Sequence, residues 1–183
     1  MKNNALKKIV RGSAIAAAYV VLTGPFAIFS FGAIQVRLAE ALTILPFFWP
    51  EAIAGLAVGC FISNLLWSPF GVIDWTLGTF ATLLAATLTF LLSRTKKIWL
   101  GAIPPIVING LVVGLYVSVL QGFFDIGIPQ GLQGFTATFT NFKIGAYMVV
   151  AGQIMLGEAV ALGVLGVPLA YVLKRTGFLN EGL

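Results

Sequence analysis

The sequence predicts an all-α integral membrane protein, a single unit over residues 1–183 with six transmembrane helices and both ends cytoplasmic. Three observations predict it. Only 9% of the 183 residues are charged while 59% are hydrophobic, and the mean hydropathy is +1.01. A soluble domain carries about 25% charged residues, so this chain has too few to wet a globular surface. Apolar stretches recur at or near the length needed to cross a bilayer. The basic residues cluster at alternate ends of these stretches, which puts most of them on one side.

A spanning helix needs about 20 apolar residues. The spans read as 9–29, 37–49, 51–68, 74–93, 98–121 and 143–173. Fifteen phenylalanines with hardly any two-residue alternation favour helices over a barrel. The first span lies within and beyond the N-terminal stretch "MKNNALKKIVRGSAIAAAYVVL", which imitates a secretory signal. It reads as a retained helix, because the apolar run extends to Phe31 with no polar cleavage region behind it. The second span is short, contains Pro46, and turns through "WPE" into the third, where Pro50 suits a helix start. The sixth would be roughly 46 Å long at 1.5 Å per residue. It must tilt, kink at Gly163, Gly166 or Pro168, or project from the bilayer.

Charge placement sets the orientation. With both ends inside, the inner side carries nine basic residues: Lys2, Lys7, Lys8, Arg11, Arg94, Lys96, Lys97, Lys174 and Arg175. The outer side carries two, Arg37 and Lys143. That is the positive-inside pattern, and it explains the net charge of +5 without a nucleic acid, for which no basic stripe with interleaved aromatics exists. The outer connections are 30–36, 69–73 and 122–142. The last is rich in Gly, Thr and Phe, and a loop of that length often docks as a lid.

Much chemistry is excluded. There is no histidine, and the lone Cys60 can form no internal disulfide. No GxxxxGK[ST] loop, H-E-x-x-H motif or cysteine cluster is present, so the chain predicts no metal, no cofactor and no enzyme. What remains is a set of costly polar residues inside apolar spans. Each intramembrane charge costs about 2.5–3.5 kcal/mol on insertion scales, so such residues face inward and are used.

Arg37 and Glu40 share a helix face at i and i+3; the pair reads either as a ligand-binding carboxylate with its orienting guanidinium, or as a structural ion pair. Asn64 reads as an interhelical hydrogen bond or a ligand contact. Asp74 suits an N-cap and Trp75 an interfacial anchor, with a binding role for each as the alternative. Asn109 lies mid-span with Tyr116 two turns later on its face. Glu158 stands alone among apolar neighbours, on a stripe with Tyr147, Ala151 and Ile154 that would wall a cavity from mouth to floor. A lone buried carboxylate is protonated, paired or bound to a donor-rich ligand. Helix 1 adds a face of small residues, with Ala14 and Ala18 four apart, which lets another helix approach closely.

Five ordered blocks carry a family resemblance: "VRLAEALTILPFF", "GLAVGCFISNLL", "GVIDWTLGTFATLLAA", "PPIVINGLVVG" and "GEAVALGVLGVPL". With the A-x-x-x-A face of Ala14 and Ala18, the chain resembles the substrate-binding S components of energy-coupling factor (ECF) transporters, and more narrowly the QueT family for queuosine precursors. The resemblance implies a compact six-helix S-component bundle in the plasma membrane that captures a 7-deazaguanine from outside. It implies two partners, a transmembrane scaffold docked on helix 1 and a pair of ATPases. It also implies roles for the polar residues. Glu158 or Glu40 would accept the adjacent N1–H and 2-amino donors; Asn64, Asn109 or Arg37 would donate to O6; Trp75, Tyr116, Phe139 or Tyr147 would stack on the ring. An S component for another vitamin such as riboflavin, and a non-transport membrane assembly protein, are the alternatives.

Overall fold

In a computed structural model, residues 2–30, 37–126 and 144–176 are described, and among them the chain is all-helical with no strand. The chain enters as α1 (Lys2–Thr23), extended by the short turns Gly24–Phe26 and Ala27–Ser30. A 3₁₀ helix, Leu38–Phe47, follows and turns through Trp49 and Pro50 into α2 (Glu51–Trp67). A π turn, Asp74–Gly78, opens α3 (Thr79–Leu92). A 3₁₀ turn, Ile98–Ala102, leads into α4 (Ile103–Ile108); a π turn, Asn109–Val113, then joins α4 to α5 (Gly114–Ile126). The described residues end with α6 (Ile144–Val160), a π turn at Ala161–Gly166 and α7 (Val167–Arg175).

Among the described residues, four continuous helical stretches are long and apolar enough to cross a membrane: Asn4–Phe26, Asp74–Thr95, Ile98–Leu120 and Ile144–Arg175. The other two expected spans, Leu38–Phe47 and Glu51–Trp67, are shorter apolar helices. The 3₁₀ helix rises only about 20 Å over its ten residues, less than the roughly 30 Å hydrocarbon core. It lies at the centre of the bundle. Eight of its ten residues are buried, and it packs against α1, α3 and the Ala161–Gly166 turn. Ile44, Leu45 and Phe47 meet Tyr19, Leu56, Cys60 and Leu162 in the main core. A smaller core joins Ala81, Val113, Tyr116, Val117 and Ile154. The rim of the bundle is apolar: Val21, Val58, Phe80, Leu156 and Val164 are all exposed, as lipid-facing side chains should be.

Glycine sets how closely α1 crosses α2. A Cβ at Gly55 would fall on the Gly12 carbonyl, and one at Gly59 would stand 2.7 Å from the Tyr19 Cβ. At the N-terminal end of this crossing, Arg11 bridges Glu51 at 2.7 Å and lies 4.5 Å from the Trp49 ring centroid. The outer connection expected over 122–142 starts later than the sequence suggests, since α5 continues to Ile126. Residues 127–143, with Phe139, Asn141 and Lys143, lie outside the described residues.

Candidate ligand-binding site

Six of the residues singled out by sequence, Arg37, Glu40, Asn64, Asp74, Asn109 and Glu158, are buried, and together with Tyr116 they meet inside the bundle. They form two adjoining hydrogen-bonded groups.

The first group joins α1, the 3₁₀ helix, the 109–113 turn and α6. Tyr19 donates its hydroxyl to Glu40 Oε1. Asn109 Nδ2 donates to Glu158 Oε1 at 2.8 Å, and Glu40 Oε2 lies at the limit of its reach, 3.5 Å. Both carboxylates are nearly sealed, Glu40 at 1% and Glu158 at 4% exposure. Glu158 Oε2 and Asn109 Oδ1 are buried and, among the described residues, accept no hydrogen bond. Two unfilled acceptors on directly bonded side chains, in a low-dielectric interior, are costly unless a donor arrives.

The second group joins the 3₁₀ helix, α2, the 74–78 turn and α5. Arg37 donates from Nε to the Ser30 carbonyl at 3.2 Å and from an Nη to Asn64 Oδ1 at 3.4 Å; its other Nη lies 3.6 Å from Asp74 Oδ2. Asn64 Nδ2 donates to the Asp74 carbonyl at 3.0 Å and lies 3.4 Å from Cys60 Sγ. Tyr116 donates its hydroxyl to Asp74 Oδ1. Trp75 Nε1 donates to the Asn64 carbonyl at 3.0 Å, which pins the half-buried indole beside this group. Gly78 makes room for all of it: a Cβ there would stand 2.5 Å from Asp74 Oδ1, 3.0 Å from Asn64 Nδ2 and 3.1 Å from the Tyr116 hydroxyl.

These contacts refine the expected pairings. Arg37 does not share a helix face with Glu40: it stands in extended backbone just before the 3₁₀ helix that carries Glu40, and its salt bridge runs to Asp74, while Glu40 is held by Tyr19 and Asn109. Asp74 spends its carboxylate on Tyr116 and Arg37; the residue preceding its turn is Ile73, and no side chain caps that turn. On the α6 stripe, Ala151, Ile154 and Glu158 are buried as expected. Tyr147 is half-buried, about 16 Å up the helix axis from Glu158, and donates to the Leu111 carbonyl at 3.4 Å. It therefore sits apart from the polar residues.

Sequence reasoning missed Tyr19. Its signal was the i, i+4 series Ile15, Tyr19, Thr23, which forms the buried face of α1. A single tyrosine in such a series reads as packing until its partner is known.

A groove of about 700 Å³ opens on the outside of the bundle between α1 and α2, lined by Gly12, Ser13, Ala17, Ala54, Gly55 and neighbours. None of the polar residues above lines it. Ala14 is exposed and Ala18 half-buried; each follows a groove residue by one position and so points about 100° further round α1.

A family model for QueT transporters matches residues 9–175. The chain belongs to the QueT transporter family. It is a multi-pass membrane protein of that family, consistent with its apolar rim and spanning helices. It is also similar to a protein of Lactococcus lactis subsp. cremoris (strain MG1363) named Queuosine precursor transporter QueT, with 39% identity over 95 residues. That alignment takes in 50% of this chain and 54% of the relative, so the chain spans about half the length of the curated relative it matches. No solved structure matches.

Proposed function

We propose that this QueT family member is the substrate-capture subunit of an ECF-type importer, and that the two buried polar groups bind a queuosine precursor, a 7-deazaguanine. The observation that carries this reading is the pair of unfilled acceptors, Glu158 Oε2 and Asn109 Oδ1. A guanine-like edge presents N1–H and a 2-amino group side by side, the complement of two adjacent acceptors. Arg37 and Asn64 supply donors for O6, and Trp75 and Tyr116 supply aromatic faces beside them. A site built on such bonds rejects ring systems lacking the donors by large factors.

Charge narrows the ligand further. Glu40, Asp74 and Glu158 are buried with one guanidinium, that of Arg37, among the described residues. The formal excess is negative, so a 7-substituent bearing a protonated amine suits the site better than a neutral nitrile. In this reading the bundle has six membrane-crossing segments with both ends cytoplasmic. A scaffold subunit docks on the small-residue face of α1 at Ala14 and Ala18, and two ATPases on that scaffold drive uptake. The bilayer is the remaining partner.

The test is to purify the protein from cells grown with a labelled queuosine precursor, identify retained small molecules by mass spectrometry, and measure uptake with and without the scaffold and ATPases. Retention of a 7-deazaguanine and uptake that needs ATP hydrolysis are expected. Retention of a flavin or other vitamin, or no retained metabolite with undiminished uptake lacking ATPases, would overturn the assignment.

A further inference from the structure

We propose that Tyr19 is a positioning residue of the ligand site: its hydroxyl fixes one oxygen of Glu40 and leaves the other aimed at the ligand, which makes α1 part of the binding machinery. This rests on the reading that Glu40 and Glu158 bind the substrate.

Tyr19 is wholly buried in the main core, and its Cβ and backbone are each closely held. Gly59 of α2 lies directly beneath its Cβ, closer than any side chain would permit. One turn on, Thr23 Oγ1 donates to the Tyr19 carbonyl at 2.9 Å and ties down the backbone behind the ring. The phenol is therefore a fixed point rather than a mobile one. Glu40 is the opposite case. A glutamate side chain is long and loses much rotamer freedom when fixed. Its other bond, from Asn109 Nδ2 at 3.5 Å, is at the limit of hydrogen-bonding range, and that same Nδ2 sits much closer to Glu158, at 2.8 Å. The phenol is the stronger of the two tethers.

The second group repeats the device. Tyr116 donates to Asp74 Oδ1 while Asp74 Oδ2 faces Arg37. In both groups a tyrosine from a neighbouring helix occupies one carboxylate oxygen and directs the other. The consequence for α1 is specific. The helix that shows Ala14 and the groove to the outside also sends Tyr19 to the carboxylate at the centre, so a shift of α1 would be felt at Glu40.

The experiment measures affinity by calorimetry for aminomethyl-7-deazaguanine as the probe, in full-length wild type, Tyr19→Phe, Glu40→Gln and the double variant, each with its melting temperature. Tyr19→Phe keeps the ring and is expected to stay folded while binding about tenfold more weakly, the value of one hydrogen bond to a charged group. In the Glu40→Gln background the same change is expected to have less than a twofold effect, because Tyr19 acts through Glu40. A purely structural role would produce equal losses in both backgrounds, or a Tyr19→Phe protein that does not fold; either result overturns the proposal. Unchanged affinity in Tyr19→Phe alongside a weakened Glu40→Gln also overturns it and leaves the ligand site standing. Unchanged affinity in both single variants instead sinks the site assignment on which it rests.

Discussion

Replacing Glu158 by glutamine exchanges one oxygen for an NH2 and leaves the shape as it was, so its effect can be worked from the contacts. In the wild type, Oε1 accepts from Asn109 Nδ2 at 2.8 Å, and Oε2 is buried with no partner among the described residues, the acceptor assigned above to the ligand. The substituted amide has one oxygen to serve both. If that oxygen keeps the Asn109 bond, an NH2 now faces the donor edge of the ligand. If the amide turns over, two NH2 groups face each other within the protein. Either arrangement loses one hydrogen bond to a charged acceptor, worth about 1.5–3 kcal/mol. At about 1.4 kcal/mol per decade, the affinity should fall at least tenfold and by up to roughly 150-fold.

The fold should tolerate the change, because the side-chain volume is nearly the same. A melting temperature near that of the wild type would show that the loss belongs to recognition. Calorimetry of the purified protein with a 7-deazaguanine base reads the affinity directly. A well-folded Glu158→Gln that binds within twofold of the wild type would remove Glu158 from the donor-reading role and, with it, the reason for assigning the unfilled acceptors to a ligand.

Two further outcomes follow from the packing. Ala14→Trp or Ala18→Trp should leave ligand affinity unchanged and abolish co-purification with the scaffold subunit, since both positions lie outside the polar groups; intact co-purification would place the docking surface elsewhere. Gly78→Ala should lower stability by about 1–3 kcal/mol, seen as a lower melting temperature, and weaken ligand binding as well, because the new methyl would crowd Asp74, Asn64 and Tyr116 at 2.5–3.1 Å; an unshifted melting curve would mean that this group repacks without strain.

The membrane class was legible because it depends on composition, which no packing detail can reverse. The polar residues were legible for the same reason: Glu40, Asn64, Asp74, Asn109 and Glu158 are expensive in hydrocarbon, and expense alone marks them as inward-facing. Their pairings were not. Arg37 stands three residues from Glu40 and bridges Asp74, because a long guanidinium reaches across elements and local spacing does not limit it. Tyr19 was invisible as a site residue because tyrosine costs little in a span, so nothing in the sequence separated its packing role from its hydrogen bond. The second span shows a different limit. Its apolar run gave no sign that its ten residues would wind as 3₁₀, with eight of them buried at the centre of the bundle.

The backbone irregularities explain why a uniform helical period could place Asn109 and Tyr116 on one face when they serve different groups. Seven residues of ideal α-helix bring a side chain back to nearly the same direction. Between these two lies the π turn Asn109–Val113, which widens one turn by a residue and rotates everything after it. Asn109 can then meet Glu158 while Tyr116 meets Asp74. The pattern recurs at each polar element. Glu40 lies in the 3₁₀ helix, Asp74 is the first residue of a π turn, and Glu158 precedes the Ala161–Gly166 π turn by three residues. Irregular backbone at membrane depth is tolerated only where protein or a cavity satisfies it. Four of the departures from α geometry among the described residues lie at or beside a buried carboxylate or amide; the 3₁₀ turns Gly24–Phe26, Ser93–Thr95 and Ile98–Ala102 do not. At those four places the departure from α geometry falls where the buried polar side chains converge.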